Sequence, residues 1–147
     1  MLQVAVHDSD DVAGGRQPAL DDHTLHLAVF DAMGHGVEAA TMATLLIAAY
    51  RHGRVNDSTL PDMYAEMDSV MADSYPGRFA TALIGRLDTI TGRLSWVNAG
   101  HPAPLILRRG SLIHSPACPP ARPLGLQSGK PLECETRLQP GDQVLLY

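Results

Sequence analysis

The run Phe30-Asp31-Ala32-Met33-Gly34-His35-Gly36 is the part of this sequence best suited to chemistry. An acid at the end of a β-prone segment holds its carboxylate at a fixed point above a sheet edge. The two glycines that follow permit sharp turns and close approach of main-chain groups to a ligand. A carboxylate beside a backbone carbonyl is hard-oxygen chemistry, suited to Mg²⁺ or Mn²⁺ rather than Zn²⁺. The same spacing also fits a tight turn in which Asp31 bonds its own backbone, and spacing alone leaves both open. Asn98-Ala99-Gly100-His101 is equally two-sided: a β-turn with a solvent-facing imidazole, or part of a site. Asp21, Asp22, His23 and His26 suggest zinc at first sight. Positions three apart on a strand point to opposite faces, however, so His23 and His26 are expected to form a polar turn entering a strand.

These residues need elements to hold them. His23 to Phe30 alternates, with Leu25, Leu27 and Val29 on one face, which predicts a strand. Val37 to Arg51 reads as a helix, apolar almost all round and packed on a sheet, with Gly53 as its terminator. Leu60, Met63, Tyr64, Met67, Val70 and Met71 recur at three- and four-residue steps and predict a second helix over Leu60 to Asp73, with Pro61 in its first turn. That stripe is core packing. Strands follow over Phe79 to Leu87, Arg93 to Asn98, Pro104 to Arg108, Ser111 to His114, Leu132 to Leu138 and Gln143 to Tyr147. Turns separate them at Asp88 to Gly92, Arg109-Gly110 and Pro140-Gly141-Asp142, and Pro116 to Pro123 is a loop. The expected class is α+β: one strand, two helices, then an antiparallel meander. Met1 to Asp22, rich in Asp, Gly and Pro, reads as an irregular segment before a domain over residues 23–147.

Composition narrows the partners. Forty-five per cent apolar and 18% charged residues in a 147-residue chain describe one globular domain, not a disordered segment. A net charge of −5 argues against a nucleic-acid surface, which carries a basic face. No apolar stretch spans a bilayer, no signal peptide is visible, and Val37 to Arg51 lacks the basic face of a membrane-surface helix. A cytoplasmic protein is expected. Cys118 and Cys134 are too far apart for a redox pair motif and are expected to be reduced thiols. His7, His52 and His114 are expected at the surface, and Asp142 is expected to be structural.

Asp31 to Ala40, followed by a helix ending in Tyr50-Arg51, resembles the signature of SpoIIE-like (RsbU-type) bacterial serine phosphatases, a branch of the metal-dependent protein phosphatase (PPM) superfamily. Arg78 to Ala82, Trp96 to Pro102, Pro123 to Leu126, and Pro140-Gly141-Asp142 leading into Leu145-Leu146-Tyr147 match in the same order, so the similarity runs from about Leu25 onward. The resemblance implies an αββα sandwich of antiparallel sheets flanked by helices, and a protein serine/threonine phosphatase using two Mn²⁺ or Mg²⁺ ions. Asp31 would be the catalytic residue and bridge the ions, and Ala32 would offer its backbone carbonyl. A metal-held water would supply hydroxide for in-line attack on phosphoserine or phosphothreonine. Gly34, His35 and Gly36 would shape the site loop, with Asn98 and His101 nearby. The implied substrate is a phosphorylated regulatory protein, in this branch often a small anti-anti-sigma factor in stress or sporulation signalling.

Two departures qualify the resemblance. Where the family carries a metal-binding Asp upstream of the first strand, this chain reads Val12-Ala13-Gly14-Gly15-Arg16-Gln17-Pro18, with Gly15 in the acid's place and Asp10 and Asp11 on the wrong side of the glycines. The chain also stops at Tyr147, inside an apolar run, one residue before the family's Thr-Asp-Gly motif would begin. A hard divalent cation takes about six oxygen ligands. The chain by itself is therefore expected to bind metal weakly and to be nearly inactive, as a truncated phosphatase domain. The alternative is a regulatory binding module that keeps the fold without catalysis.

Overall fold

The structure, a computed structural model, describes residues 23–113, 118–127 and 129–147 in full and residues 2–7 as backbone. The expectations placed on Asp10, Asp11, Val12 to Pro18, Asp21, Asp22 and His114, and on the side chain of His7, lie outside the described residues.

A nine-residue strand, β2 (Thr24–Ala32), is the spine. Preceding it in the chain, β1 (Leu2–His7) pairs antiparallel with it from Leu2↔Asp31 to His7↔His26. Two helices follow, α1 (Gly36–Val55) and α2 (Leu60–Ser74). Next come β3 (Ala80–Asp88) and β4 (Arg93–Ala99), then β5 (Leu105–Arg108), β6 (Ser111–Ile113), β7 (Cys134–Arg137) and β8 (Gln143–Leu145). They form two antiparallel sheets, a five-stranded one of order β1-β2-β3-β4-β7 and a three-stranded one of order β6-β5-β8. The architecture is mixed α+β.

Alternation in β2 divides the interior in two. Ala28, Phe30 and Ala32 face the helices and join a core with Met42, Leu46, Tyr50, Met63, Tyr64 and Met67. Phe30 is fully buried with its ring edge-on to Tyr50, centroids 6.0 Å apart. Emptying that position would cost roughly 3–5 kcal/mol. On the opposite face Leu27 packs with Leu83, Leu94 and Trp96, against which Val144 of the small sheet and Leu146 just beyond it are laid. The layers are helix pair, large sheet, small sheet. Thr59 starts α2: its hydroxyl accepts from the Asp62 N–H at 3.2 Å and donates to the Asp62 carboxylate at 2.6 Å. Such a cap contributes about 1 kcal/mol.

Several expectations need correction. The segment before Asp22 is not irregular throughout, because residues 2–7, alternating Leu2, Val4 and Val6, complete an edge of the large sheet. The run after α2 is not a simple meander: the chain leaves the large sheet after β4, builds β5 and β6, and returns to pair β7 with β4. Gly53 does not end α1. The helix continues to Val55, and Gly53 is where α2 crosses closest, since a Cβ there would sit 2.7 Å from Met63 Cγ. Asn56 caps the helix, and Asp57 turns the chain at φ +51°. The cysteines are not free thiols. Cys134 lies opposite Trp96 in β7, the 118–121 segment runs past the end of β4, and Cys118 and Cys134 form a disulfide with Cα atoms 6.0 Å apart. Sequence spacing could not show this, because the two halves meet only through β4.

Asp142 does have a structural role. Its carboxylate accepts from Arg108 Nε at 2.8 Å and Nη2 at 2.7 Å, and from the Gln139 N–H at 2.8 Å. The link ties the Pro140-Gly141-Asp142 turn to β5. The Arg108 hydrogen bonds, followed by that from Gln139, bring the Asp142 pKa from 3.8 down to about 2.

Two outcomes follow from these links. A depressed carboxyl pKa stabilises the fold above the unfolded value and is lost as pH falls through the folded one. Thermal midpoints of Asp142→Asn and the parent should therefore differ above pH 3.8 and converge as pH falls towards about 2; a difference that persists unchanged would show the pair contributes nothing through its charge. Reducing the Cys118–Cys134 disulfide, whose partners are 16 residues apart, should lower stability by roughly 3 kcal/mol. Urea midpoints with and without reductant measure it, and coincident curves would mean the closed loop adds no stability.

Candidate functional site

The end of β2 and the turn after β4 meet at one rim of the large sheet. Asp31 is the penultimate residue of β2, opposite Thr81 in β3, and its side chain is exposed. It lies on the face turned toward the small sheet, because Phe30 and Ala32 take the helix face. Ala32 is buried and ends the strand opposite Ala80. Past it the chain turns sharply: the Met33 N–H donates to the Phe79 carbonyl at 3.2 Å, Gly34 takes φ +91° and Gly36 φ +77°. Both glycines are needed for these left-handed backbone values. They do not admit a crowding neighbour, since a Cβ at either would meet nothing within 4 Å. His35 lies exposed at the N-cap of α1 and makes no side-chain cap. Beyond it Glu38 pairs with Arg78 at 3.0 Å, an exposed contact of less than about 1 kcal/mol.

The second stretch forms a turn, but its imidazole does not face solvent. Asn98 is buried at the end of β4 and clamps the turn from both sides. Its Nδ2 donates to the His101 carbonyl at 2.8 Å, and its Oδ1 accepts from the His101 N–H at 2.8 Å. Gly100 sits between at φ +68°, with Pro123 so close that a Cβ would lie 2.8 Å from its Cγ. His101 is only 7% exposed, and its Nδ1 shares a 2.8 Å hydrogen bond with the Thr81 hydroxyl. Its Nε2 has no hydrogen-bond partner. Burial lowers the His101 pKa, while the nearby Tyr147 backbone and the Asp31 charge pull it upward.

Asp31, Thr81 and His101 are thus brought together, and Asn98 holds the turn that presents His101. Thr81 lies within the Arg78 to Ala82 stretch, which gives it no role by itself; the register opposite Asp31 brings it into the site. His23 is exposed and His26 is buried opposite Arg86, so the pair makes no common ligand set. No group of three or more His, Cys, Asp or Glu side chains is placed to hold a metal ion among the described residues. One carboxylate and one strand-end carbonyl fall well short of about six oxygens. The described residues therefore do not by themselves make a two-ion centre.

The sequence profile of Stage II sporulation protein E (SpoIIE) matches residues 21–147. The solved RsbU and RsbW domains of Rv1364c from Mycobacterium tuberculosis superpose with a TM-score of 0.74 at 29% identity, over 97% of this chain and 42% of that one. The PP2C phosphatase domain with a regulatory-domain fragment of SpoIIE from Bacillus subtilis gives 0.73 at 14% identity, over 99% and 44%. RsbX in complex with magnesium gives 0.65 at 14% identity, over 97% and 69%. At 14% the last two show likeness of fold. This chain spans less than half the length of the first two structures. Because the profile takes in both helices and every strand from β2 to β8, this chain belongs to the SpoIIE (Stage II sporulation protein E) family.

Proposed function

We propose that this chain serves in a metal-dependent protein serine/threonine phosphatase, with the Asp31 carboxylate and the Ala32 backbone carbonyl as its ligands to Mn²⁺ or Mg²⁺. The observation that carries the proposal is the exposed Asp31 carboxylate at the rim where the two sheets meet, beside a buried imidazole. Magnesium in the RsbX complex supports the choice of a hard cation. A bound divalent ion would supply Lewis acidity toward a phosphoryl oxygen. The remaining ligands come from outside the described residues, and this chain alone holds metal weakly. In this proposal the second helical layer of an αββα sandwich likewise lies outside them.

Gly34 and Gly36 set the path of the loop at the strand end, and Asn98 holds His101 with its Nδ1 against Thr81. The imidazole's other nitrogen is buried, with the Tyr147 backbone and the Asp31 charge nearby. The substrate is a phosphoserine or phosphothreonine on a cytoplasmic regulatory protein, of the anti-anti-sigma type. Among the described residues no helix is long and apolar enough to cross a membrane.

A non-catalytic module that binds a partner through the same rim is the second reading, favoured by the lack of a clustered acid set among the described residues. Asp31→Asn separates the two. In the protein that carries this chain, Mn²⁺-dependent hydrolysis of a phosphoserine peptide should fall by at least about 100-fold, since even the partners that orient a metal's ligands cost about 10–100-fold when lost. The fold should be unaffected, because the side chain is exposed. Parent and variant hydrolysing at the same rate would remove Asp31 from the reaction, and no hydrolysis in the parent would favour the binding module.

A further inference from the structure

The end of the large sheet remote from Asp31 holds a group of basic side chains. Arg86 of β3 stands in register between His26 of β2 and Ser95 of β4, all on the helix-facing side and the latter two buried. Over this row lies the last stretch of α1. Tyr50 donates its hydroxyl proton to the Leu27 carbonyl at 3.2 Å, and Arg54, only 8% exposed, follows one turn later. Arg86 Nη2 donates to the Ser58 carbonyl in the link to α2. The Nε–H groups of Arg54 and Arg86 are both buried, and neither meets an acceptor. Among the described residues no carboxylate pairs with either guanidinium.

An interior cation is ordinarily paired, and a buried N–H without an acceptor forfeits its hydration. Here two guanidinia approach one another in a partly dehydrated space, where like charges repel more strongly than in water. Burial lowers the Arg54 pKa, Tyr50 acts against this, and Arg51 and Arg86 lower it further. Tyr50 supplies no neutralising charge, since burial holds its hydroxyl up at about 12 against the pull of Arg54 and Arg86. Among the described residues the arrangement holds no anion.

We propose that Arg54 and Arg86 form a binding site for the phosphoryl group of a small ligand, between the C-terminal end of α1 and the row His26-Arg86-Ser95. Two planar forks offer more donors than a single carboxylate can accept, and the several oxygens of a phosphoryl group satisfy both. The site is five residues along β2 from Asp31, about 17 Å, so it is separate from the metal rim and does not rest on the proposed hydrolase chemistry. Its occupant ties α1 to β3 by charge-assisted bonds and stabilises that end of the sheet.

The test uses the protein in excess EDTA, which removes any metal-borne phosphate binding, with inorganic phosphate as the probe at constant ionic strength. Phosphate should raise the thermal midpoint saturably and broaden its own ³¹P resonance, while acetate at equal concentration should do far less. Arg54→Lys and Arg86→Lys keep the charge but lose the fork, and each should weaken binding by at least about tenfold. Arg54→Met should abolish the phosphate response. Asp31→Asn should leave binding unchanged. No saturable phosphate effect in the parent, acetate equal to phosphate, or parent-like affinity in both lysine variants would each overturn the site.

Discussion

The register between β2 and β3 is the constraint on which the rest of the molecule depends. It runs through nine pairs, from Thr24↔Asp88 at one end to Ala32↔Ala80 at the other. Side chains alternate along a strand, so this single alignment decides what each face of the sheet receives. It sets Asp31 beside Thr81 on the side of the small sheet, Phe30 beside Ala82 under the helices, and His26 beside Arg86 at the far end. A slip of one residue would drive the Asp31 carboxylate into the helix-side core and expose the Phe30 ring at the rim. The burial of Phe30 against Tyr50 resists this, and the bond from the Thr89 N–H to the His23 carbonyl at 2.8 Å closes the opposite end.

The second organising feature is a strap of chain, residues 118–127, that crosses from the small sheet's side to α2. Asp68, buried in α2, accepts from the Gly125 N–H at 2.7 Å and the Gln127 N–H at 3.2 Å, while Tyr64 donates to the Arg122 carbonyl at 2.9 Å. Gly125 takes φ +96°, and a Cβ there would fall 2.5 Å from the Arg78 carbonyl oxygen, so no larger residue fits. The strap then reaches the sheet: Ala80 and Leu124 exchange two backbone bonds, and the Ala121 N–H donates to the Asn98 carbonyl at 2.8 Å. Asn98 in turn clamps His101. The Met-rich helix α2, which packs the core through Met63, Met67 and Met71, thereby also braces the turn that sets His101 beside Asp31. Packing and site geometry are carried by the same helix.

The two ends of the sheet have opposite chemistry. At the rim near Asp31 a carboxylate stands exposed beside a buried neutral-leaning imidazole. At the other end the buried Nε–H groups of Arg54 and Arg86 lie under α1 without an acceptor among the described residues. The acidic net charge of the whole chain conceals this local separation.

What the sequence determined by itself is whatever depends on period and on local backbone demand. The alternation of His23 to Phe30, the three- and four-residue steps of Leu60 to Met71, and the glycines after Asp31 specified a strand, a helix and a sharp strand-to-helix turn. The order of motifs pointed to the family. Local signals do not encode which strand returns to which edge, because that is settled by competing burial across the whole chain. The return of β7 to β4, the Cys118–Cys134 disulfide, the burial of His101 and the role of Gly53 as a helix-crossing point were all decided there. Arg54 and Arg86 are the clearest case: 32 residues apart in the chain, they look like ordinary surface cations until the packing of α1 on β3 removes the water around them.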